Sequence, residues 1–207
     1  MSAFLILVIV LLVILGALIF LLTRLYNQLV ILKNRYINAY SQIDVQLKRR
    51  YDLIPNLVES CRAYLAHESS TLEAVIQARN MASIARSSAA GDPTQQAALK
   101  QLTESDNALS GLLGKLMMVV ESYPELKANQ TVSDLMEDLR TTENRISFSR
   151  QAFNDAVMEY NQSREVFPAV LFVNIFGFQP AEFWRLESPA EGQTLRIQLD
   201  KNATLQP

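Results

Sequence analysis

Apolar residues run from Ala3 to Leu22 with only Gly16 between them, and no charged side chain occurs in the first 23 positions. At about 1.5 Å rise per residue this stretch predicts a helix of roughly 30 Å, the thickness of a bilayer's hydrocarbon core. Beyond it the pattern becomes one-sided. Leu25, Leu29, Leu32, Tyr36, Tyr40, Ile43, Leu47, Tyr51 and Ile54 recur in steps of three and four, the spacing of a helix with one buried face. Neither Gly nor Pro lies between Gly16 and Pro55, so the two patterns predict a single helix passing from membrane into body. Pro55 lacks an N–H and crowds the preceding turn, and is expected to kink or interrupt that helix. Apolar periodicity resumes through Leu57, Val58 and Tyr64.

Three more helices follow. Ser70 with Glu73 fits a capping box for a second helix carried by Leu72, Val75, Ile76 and Ala82, ending near Arg86. Ser87 to Gly91 reads as a loop, and Asp92-Pro93 as a capped helix start. The third helix shows Leu99, Leu102, Leu109, Leu113, Leu116 and Val120, with Asp106 in a slot where an apolar residue is expected. Gly111 and Gly114 thin it and invite a close backbone approach, until Tyr123-Pro124 stops it. Thr131 with Asp134 is expected to cap the fourth, whose stripe is Val132, Leu135, Leu139, Thr142, Ile146, Ser149, Phe153, Val157 and Tyr160. Four amphipathic helices with short connections bury their stripes most simply as an up-and-down antiparallel bundle.

Val166 to Phe178 is a second apolar run, too short to span a bilayer. Two readings apply. If the last helix returns toward the membrane, Phe167, Phe172, Phe176, Phe178, Phe183 and Trp184 lie near lipid headgroups, where aromatic rings are favoured. The preferred reading folds the run back to cap the open end of the bundle, because short apolar runs more often serve as core. The remainder, 187–207, is expected to be a flexible tail with one short strand at Thr194 to Leu199.

Charge sets the orientation. All 19 Lys and Arg and all 21 acids lie beyond the apolar run. Arg24, Lys33 and Arg35 flank its C-terminal side and no basic side chain flanks the other, so the body is expected in the cytoplasm. No basic n-region or A-x-A site marks a cleaved signal, and the single Cys is Cys61, not a lipoprotein cysteine at the exit. The net charge of −2 makes nucleic acid and anionic lipid surfaces poor partners, and one Cys excludes an intramolecular disulfide. Six Gly and seven Pro in 207 residues argue for long regular elements.

Catalytic chemistry is hard to find. Cys61 and the single His67 are six residues apart, which turns them about 120° from each other on a helix. His67-Glu68 is half of a metalloprotease motif, but Thr71 stands where the second His belongs. No phosphate loop and no nucleophile elbow occurs, and no cofactor or small-molecule substrate is implied. Two polar rows are more informative. Gln42, Arg49, Asp52 and Asn56 line one side of the first helix, at spacings of seven, three and four. Glu143, Arg150, Asn154 and Asn161 do so on the fourth, at seven, four and seven. As structure, they form a buried ladder in which Arg49 and Arg150 pair with Asp52 and Glu143, fixing register. As function, they form a groove for a peptide or a partner's helix. The ladder is preferred because each charge has an opposite within the bundle. Both predict that replacing Arg49 or Glu143 alone is worse than replacing both.

These residues carry a resemblance. Tyr26 to Val30 and Gln46-Leu47-Lys48-Arg49-Arg50-Tyr51-Asp52-Leu53-Ile54-Pro55-Asn56-Leu57-Val58 closely resemble the signature of the LemA family of bacterial membrane proteins. The likeness continues at Tyr64, His67-Glu68, Tyr123 to Ala128, Thr142-Glu143-Asn144-Arg145-Ile146, Arg150, Phe153-Asn154, Ala156-Val157, Tyr160-Asn161, Phe167-Pro168 and Phe176-Gly177-Phe178. Phe148 interrupts a stretch of small residues usual in the family, and Trp184 stands where Phe is more common. The resemblance implies an N-terminal transmembrane helix, an antiparallel helical bundle and no known catalytic residue. It also implies a shared assembly with a membrane-bound TPM-domain protein or metallopeptidase.

The expectation is therefore an all-α, single-pass protein of the bacterial inner membrane. It has an anchor over 1–23, a four-helix bundle over 24–166, an aromatic segment over 167–186 and the tail. It serves as a scaffold or assembly subunit, touching lipid and either further copies of itself or another membrane protein. The alternatives are a regulator or activator of a membrane enzyme or peptidase, acting through the polar groove, and a ligand sensor with a cavity near Gly111 and Gly114. Gln42, Arg49, Arg50, Asp52, Pro55, Asn56, Glu143, Arg145, Arg150, Asn154 and Asn161 are the candidate structural or partner-binding residues.

Overall fold

A computed structural model of the protein describes residues 2–185; the expected tail and its strand lie outside the described residues. The described residues form five α-helices and no strand: α1 Ser2–Arg62, α2 Ser69–Gly91, α3 Gln96–Ser122, α4 Pro124–Lys127 and α5 Gln130–Glu165. Short 3-10 turns occur at Ala66–Glu68 and Ala169–Leu171.

α1 has two characters along its 61 residues. Its apolar window is buried nowhere against the rest of the protein. It is long and apolar enough to cross a bilayer, which is consistent with membrane anchoring. Where the apolar run ends, Thr23 turns its hydroxyl back to the Ile19 carbonyl at 2.9 Å. The periodic stripe then enters the core: Leu29, Leu32, Tyr36, Tyr40, Ile43, Leu47, Tyr51, Ile54, Leu57, Val58 and Cys61 are all buried. Leu25, the first residue of the expected stripe, is only half-buried.

Of the two outcomes expected at Pro55, a kink or an interruption, the interruption does not occur: α1 runs through it. The missing N–H of Pro55 deprives the Tyr51 carbonyl of its helical donor. Arg79 of α2 replaces that donor, with Nε donating to the Tyr51 oxygen at 2.9 Å. With that acceptor satisfied and Leu57, Val58 and Cys61 buried beyond it, the helix runs on to Arg62.

Several element ends also differ from expectation. α2 extends to Gly91 through the stretch read as a loop. Ala85 and Ala89 are buried there, and Ser87 and Ser88 donate to the carbonyls of Ser83 and Ile84, so their hydroxyls do not compete with the helix. Ser70 caps nothing, since α2 begins at Ser69 straight from the 3-10 turn. Asp92 organises a turn instead of capping a helix, accepting from the Thr94 N–H and hydroxyl at 3.0 and 2.7 Å. Those bonds hold its carboxyl below the usual range. The α5 cap is Asn129, not Thr131; its side chain accepts from the Val132 N–H at 3.2 Å. Gly111 and Gly114 meet no close backbone, as both are exposed and a Cβ at either would touch nothing within 4 Å.

α1 packs most extensively on α5 and also on α2, which in turn packs on α3. Aromatic rings join α1 to α5: Tyr36 lies 5.2 Å from Tyr160 and 6.3 Å from Phe153, and Tyr40 lies 6.2 Å from Phe153. After α5 the chain turns through residues 166–177. Gly177 has φ +72°, a conformation that favours glycine, and sends the chain back along the body. Ala169, Val173 and Phe178 are buried in this fold-back, and Phe176 and Phe178 sit against Tyr26 of α1.

Candidate functional site

The most concentrated chemistry in the molecule surrounds Asp106 of α3. Its carboxylate is fully buried and is shared by two arginines, Arg50 of α1 on one oxygen and Arg150 of α5 on the other. Tyr51 donates its hydroxyl to the first oxygen at 3.0 Å. Arg50 spreads further, donating to Glu143 of α5 at 2.6 Å and to Ser110 of α3 at 3.1 Å. The two cations and two carboxylates cancel in charge. Burial and the nearby Arg50 push the Arg150 guanidinium down to about 10, far enough above neutrality that it remains a cation. Burial pushes the Tyr51 hydroxyl up to about 12, so it stays a proton donor.

Trp184 seals this cluster. It is 2 % exposed, and the Arg150 guanidinium lies 5.1 Å from its ring centroid. Two asparagines a heptad apart on α5 hold the extended segment 178–185 as a neighbouring strand would. Asn154 accepts from the Trp184 N–H at 2.8 Å and donates to its carbonyl at 3.0 Å. Asn161 does the same with Ala181, at 2.9 and 2.8 Å. The Tyr160 hydroxyl donates to the Gln179 carbonyl at 2.8 Å. From the other side, Gln96 and Asn107 of α3 donate to the carbonyls of Pro180 and Arg185. The segment thus bridges α3 and α5 by its backbone.

The structure redistributes the sequence-predicted ladder. Arg50, not Arg49, enters the core, and its chief partner is Asp106, not Asp52. Adjacent positions on a helix point about 100° apart, which is enough to turn Arg49 outward to Asp138 at 3.1 Å, half-exposed. Gln42, Asp52, Asn56 and Arg145 are exposed. The row on α1 therefore turns to solvent and does not face the row on α5 across a common groove. Glu143 and Arg150 do share one network, though through Arg50 and Asp106. Asn154 and Asn161 are half-buried and bind the chain's own segment. Trp184, expected near lipid headgroups in one reading, is placed against Asn154 and Arg150 instead. Asp106 was visible as an acid interrupting an apolar stripe. The roles of Arg79, Ser110 and the Asp44–Arg86 pair at 2.8 Å had no such signal.

Other chemistry is sparse. Cys61 is buried, which pushes its thiol up to about 11, and His67 lies exposed in the turn beyond it. Among the described residues no group of three or more His, Cys, Asp and Glu is placed to hold a metal ion. A cavity of about 240 Å³ opens onto the outer edge of the network, lined by Arg50, Ser110 and Glu143 and by Leu113, Gly114, Met117 and Leu139. It is near the position a ligand sensor needs but below the usual size of a ligand pocket, roughly 300–1,000 Å³.

Comparison with known proteins agrees with the sequence resemblance. The family model described as LemA family matches residues 39–198. Magnetosome protein MamQ of Magnetospirillum gryphiswaldense is 28% identical over 165 residues, covering 72% of this chain and 60% of that protein. Magnetosome protein MamQ 2 of Paramagnetospirillum magneticum is 35% identical over 91 residues, covering 44% of this chain and 33% of that protein. The chain spans less than two thirds of the length of these relatives.

Proposed function

This chain belongs to the LemA family, and from that premise we propose that it is a membrane-anchored helical scaffold or assembly subunit without catalytic chemistry of its own. The observation that carries this reading is the state of Asp106. Both oxygens of Asp106 are occupied by arginines in the interior, so the most deeply buried charges in the molecule link three helices and Asp106 offers substrate no free oxygen. A reactive carboxylate needs a cleft and an unfilled oxygen.

The body is read as an antiparallel four-helix bundle of α1, α2, α3 and α5. Arg35 pairs with Glu159 and Arg49 with Asp138, so numbers rise along α1 as they fall along α5. α1 carries the bundle on a rod continuous with its anchor, which fixes the height of the other faces above the membrane. The basic residues that follow the apolar run support a single pass through a bacterial inner membrane with the body in the cytoplasm. The partners are further copies of the chain or another membrane protein.

The test is purification of the tagged full-length protein from native membranes in gentle detergent, after crosslinking in place, with mass spectrometry of what remains attached. A discrete oligomer or a defined hetero-complex is expected. Isolated monomers with no crosslinked neighbour would overturn the scaffold reading.

A further inference from the structure

Resting on the membrane-anchor reading, we infer that the turn at residues 166–177 is a second membrane contact, an uncharged apolar lobe that inserts into the lipid interface beside α1. Tyr26 fixes its depth. That residue lies one helical turn past Leu22, about 6 Å beyond the end of the apolar span, at the level of the headgroups. The Phe176 and Phe178 rings pack on it at 5.4 and 5.5 Å. The fold-back is therefore pinned at the depth where α1 leaves the bilayer.

Its outer surface suits lipid. Phe167 is 78% exposed, Ile175 77% and Leu171 59%, with Val166 and Val170 about half exposed. No charged residue occurs from Val166 to Phe178. Such a cluster is unfavourable in water, and short apolar elements rich in aromatic residues are favoured in the headgroup and upper acyl region. The inner residues Ala169, Val173 and Phe178 attach the lobe to the body, so the exposed ones are displayed on a fixed platform. The occupant is lipid and not a second copy because Phe176 and Phe178 tie the lobe to Tyr26, one helical turn past the apolar span, which sets it at headgroup depth. Two contacts, one transmembrane and one interfacial, would fix the tilt of the body as well as its height.

The experiment uses the full-length protein in phosphatidylcholine liposomes, with single cysteines carrying an NBD fluorophore at Ile175→Cys, Phe167→Cys, Leu12→Cys and Phe148→Cys. Native Cys61 is buried, and unmutated protein treated alike supplies the blank. Phe148 is 73% exposed on α5 and lies about 25 Å or more from the lobe along the helix, so it is the water-facing control. Lipids with a nitroxide high on the acyl chain are expected to quench most of the emission at 175 and 167 and little at 148, with blue-shifted spectra at the first two. A deep nitroxide is expected to quench position 12. Quenching at 12 with water-like, unquenched emission at 175 and 167 would overturn the lobe and leave the anchor standing. A blue shift at 175 and 167 without lipid quenching would overturn it in favour of a protein covering. Absence of quenching at 12 would overturn the anchor and the lobe together.

Discussion

The seam between α1 and α5 and the interior behind it use the same kind of arginine–carboxylate pair to different effect. On the seam, Arg35–Glu159 and Arg49–Asp138 stand about half in water. Screening and side-chain entropy leave such pairs worth roughly 0–1 kcal/mol. One helical step inward, Arg50, Asp106 and Arg150 meet without solvent. Burying those charges is costly, and their mutual attraction offsets the cost only while all are present. The seam therefore tolerates loss, and the interior does not. A buried network specifies which helices meet and in what register, which an exposed pair does far more weakly.

The largest expected effect is from Asp106→Ala, which leaves two arginines facing each other in the core. A loss of about 3–5 kcal/mol is predicted, measured by denaturant unfolding of the detergent-solubilised protein. Replacing Arg50, Asp106 and Arg150 together by Met, Leu and Met should recover most of that loss. If the single and triple variants were equally damaged, the interior would not act as one unit. The next effect is at the proline. Arg79→Met orphans the Tyr51 carbonyl at a cost of about 1–3 kcal/mol. In a Pro55→Ala background, where residue 55 regains its N–H, the same change should cost clearly less. Equal costs in both backgrounds would show that Arg79 does not compensate for Pro55.

Alkaline pH probes the interior more gently. Burial holds the hydroxyls of Tyr36, Tyr40 and Tyr51 neutral above the ordinary tyrosine value near 10, Tyr51 to about 12. Each folded pKa is raised, so this contribution is complete below pH 10 and is lost as pH climbs toward 12 and beyond. Melting temperatures by circular dichroism should hold from pH 8 to 9.5 and fall above pH 10. The smallest effect is from Arg49→Ala, under about 1 kcal/mol and further reduced by salt. A loss comparable to that of Asp106→Ala would erase the contrast between seam and interior.

Much of this was legible in the chain. The stripe from Leu29 to Ile54 and its counterpart from Val132 to Tyr160 are periodic enough to define both faces without coordinates, and nearly all of those positions are buried. The acid at Asp106 announced itself by breaking an apolar stripe. The choice between Arg49 and Arg50 was also legible and was missed: Arg50 stands three residues after Leu47 and four before Ile54, in phase with the buried stripe, whereas Arg49 lies off it. Pro55 is misleading for a different reason. Local chemistry predicts a kink or a break, whereas the donor that lets the helix continue comes from Arg79, on another helix. The asparagines at 154 and 161 stand out as a polar row on α5, yet their partners are a segment with no periodicity to predict where it lies. Helix ends were least legible, because Ser, Thr and Asp serve caps and turns equally well.

The central claim is that the buried charges act as architecture, with function residing in the outer faces and the anchor. It is tested most directly by the full-length triple variant Arg50→Met, Asp106→Leu, Arg150→Met, expressed in native membranes and crosslinked beside the unaltered protein. The account predicts a folded variant that gives the same crosslinked neighbours in the same proportions. A variant that folds as stably as the original but has lost those neighbours would contradict it and make the cluster itself the working site.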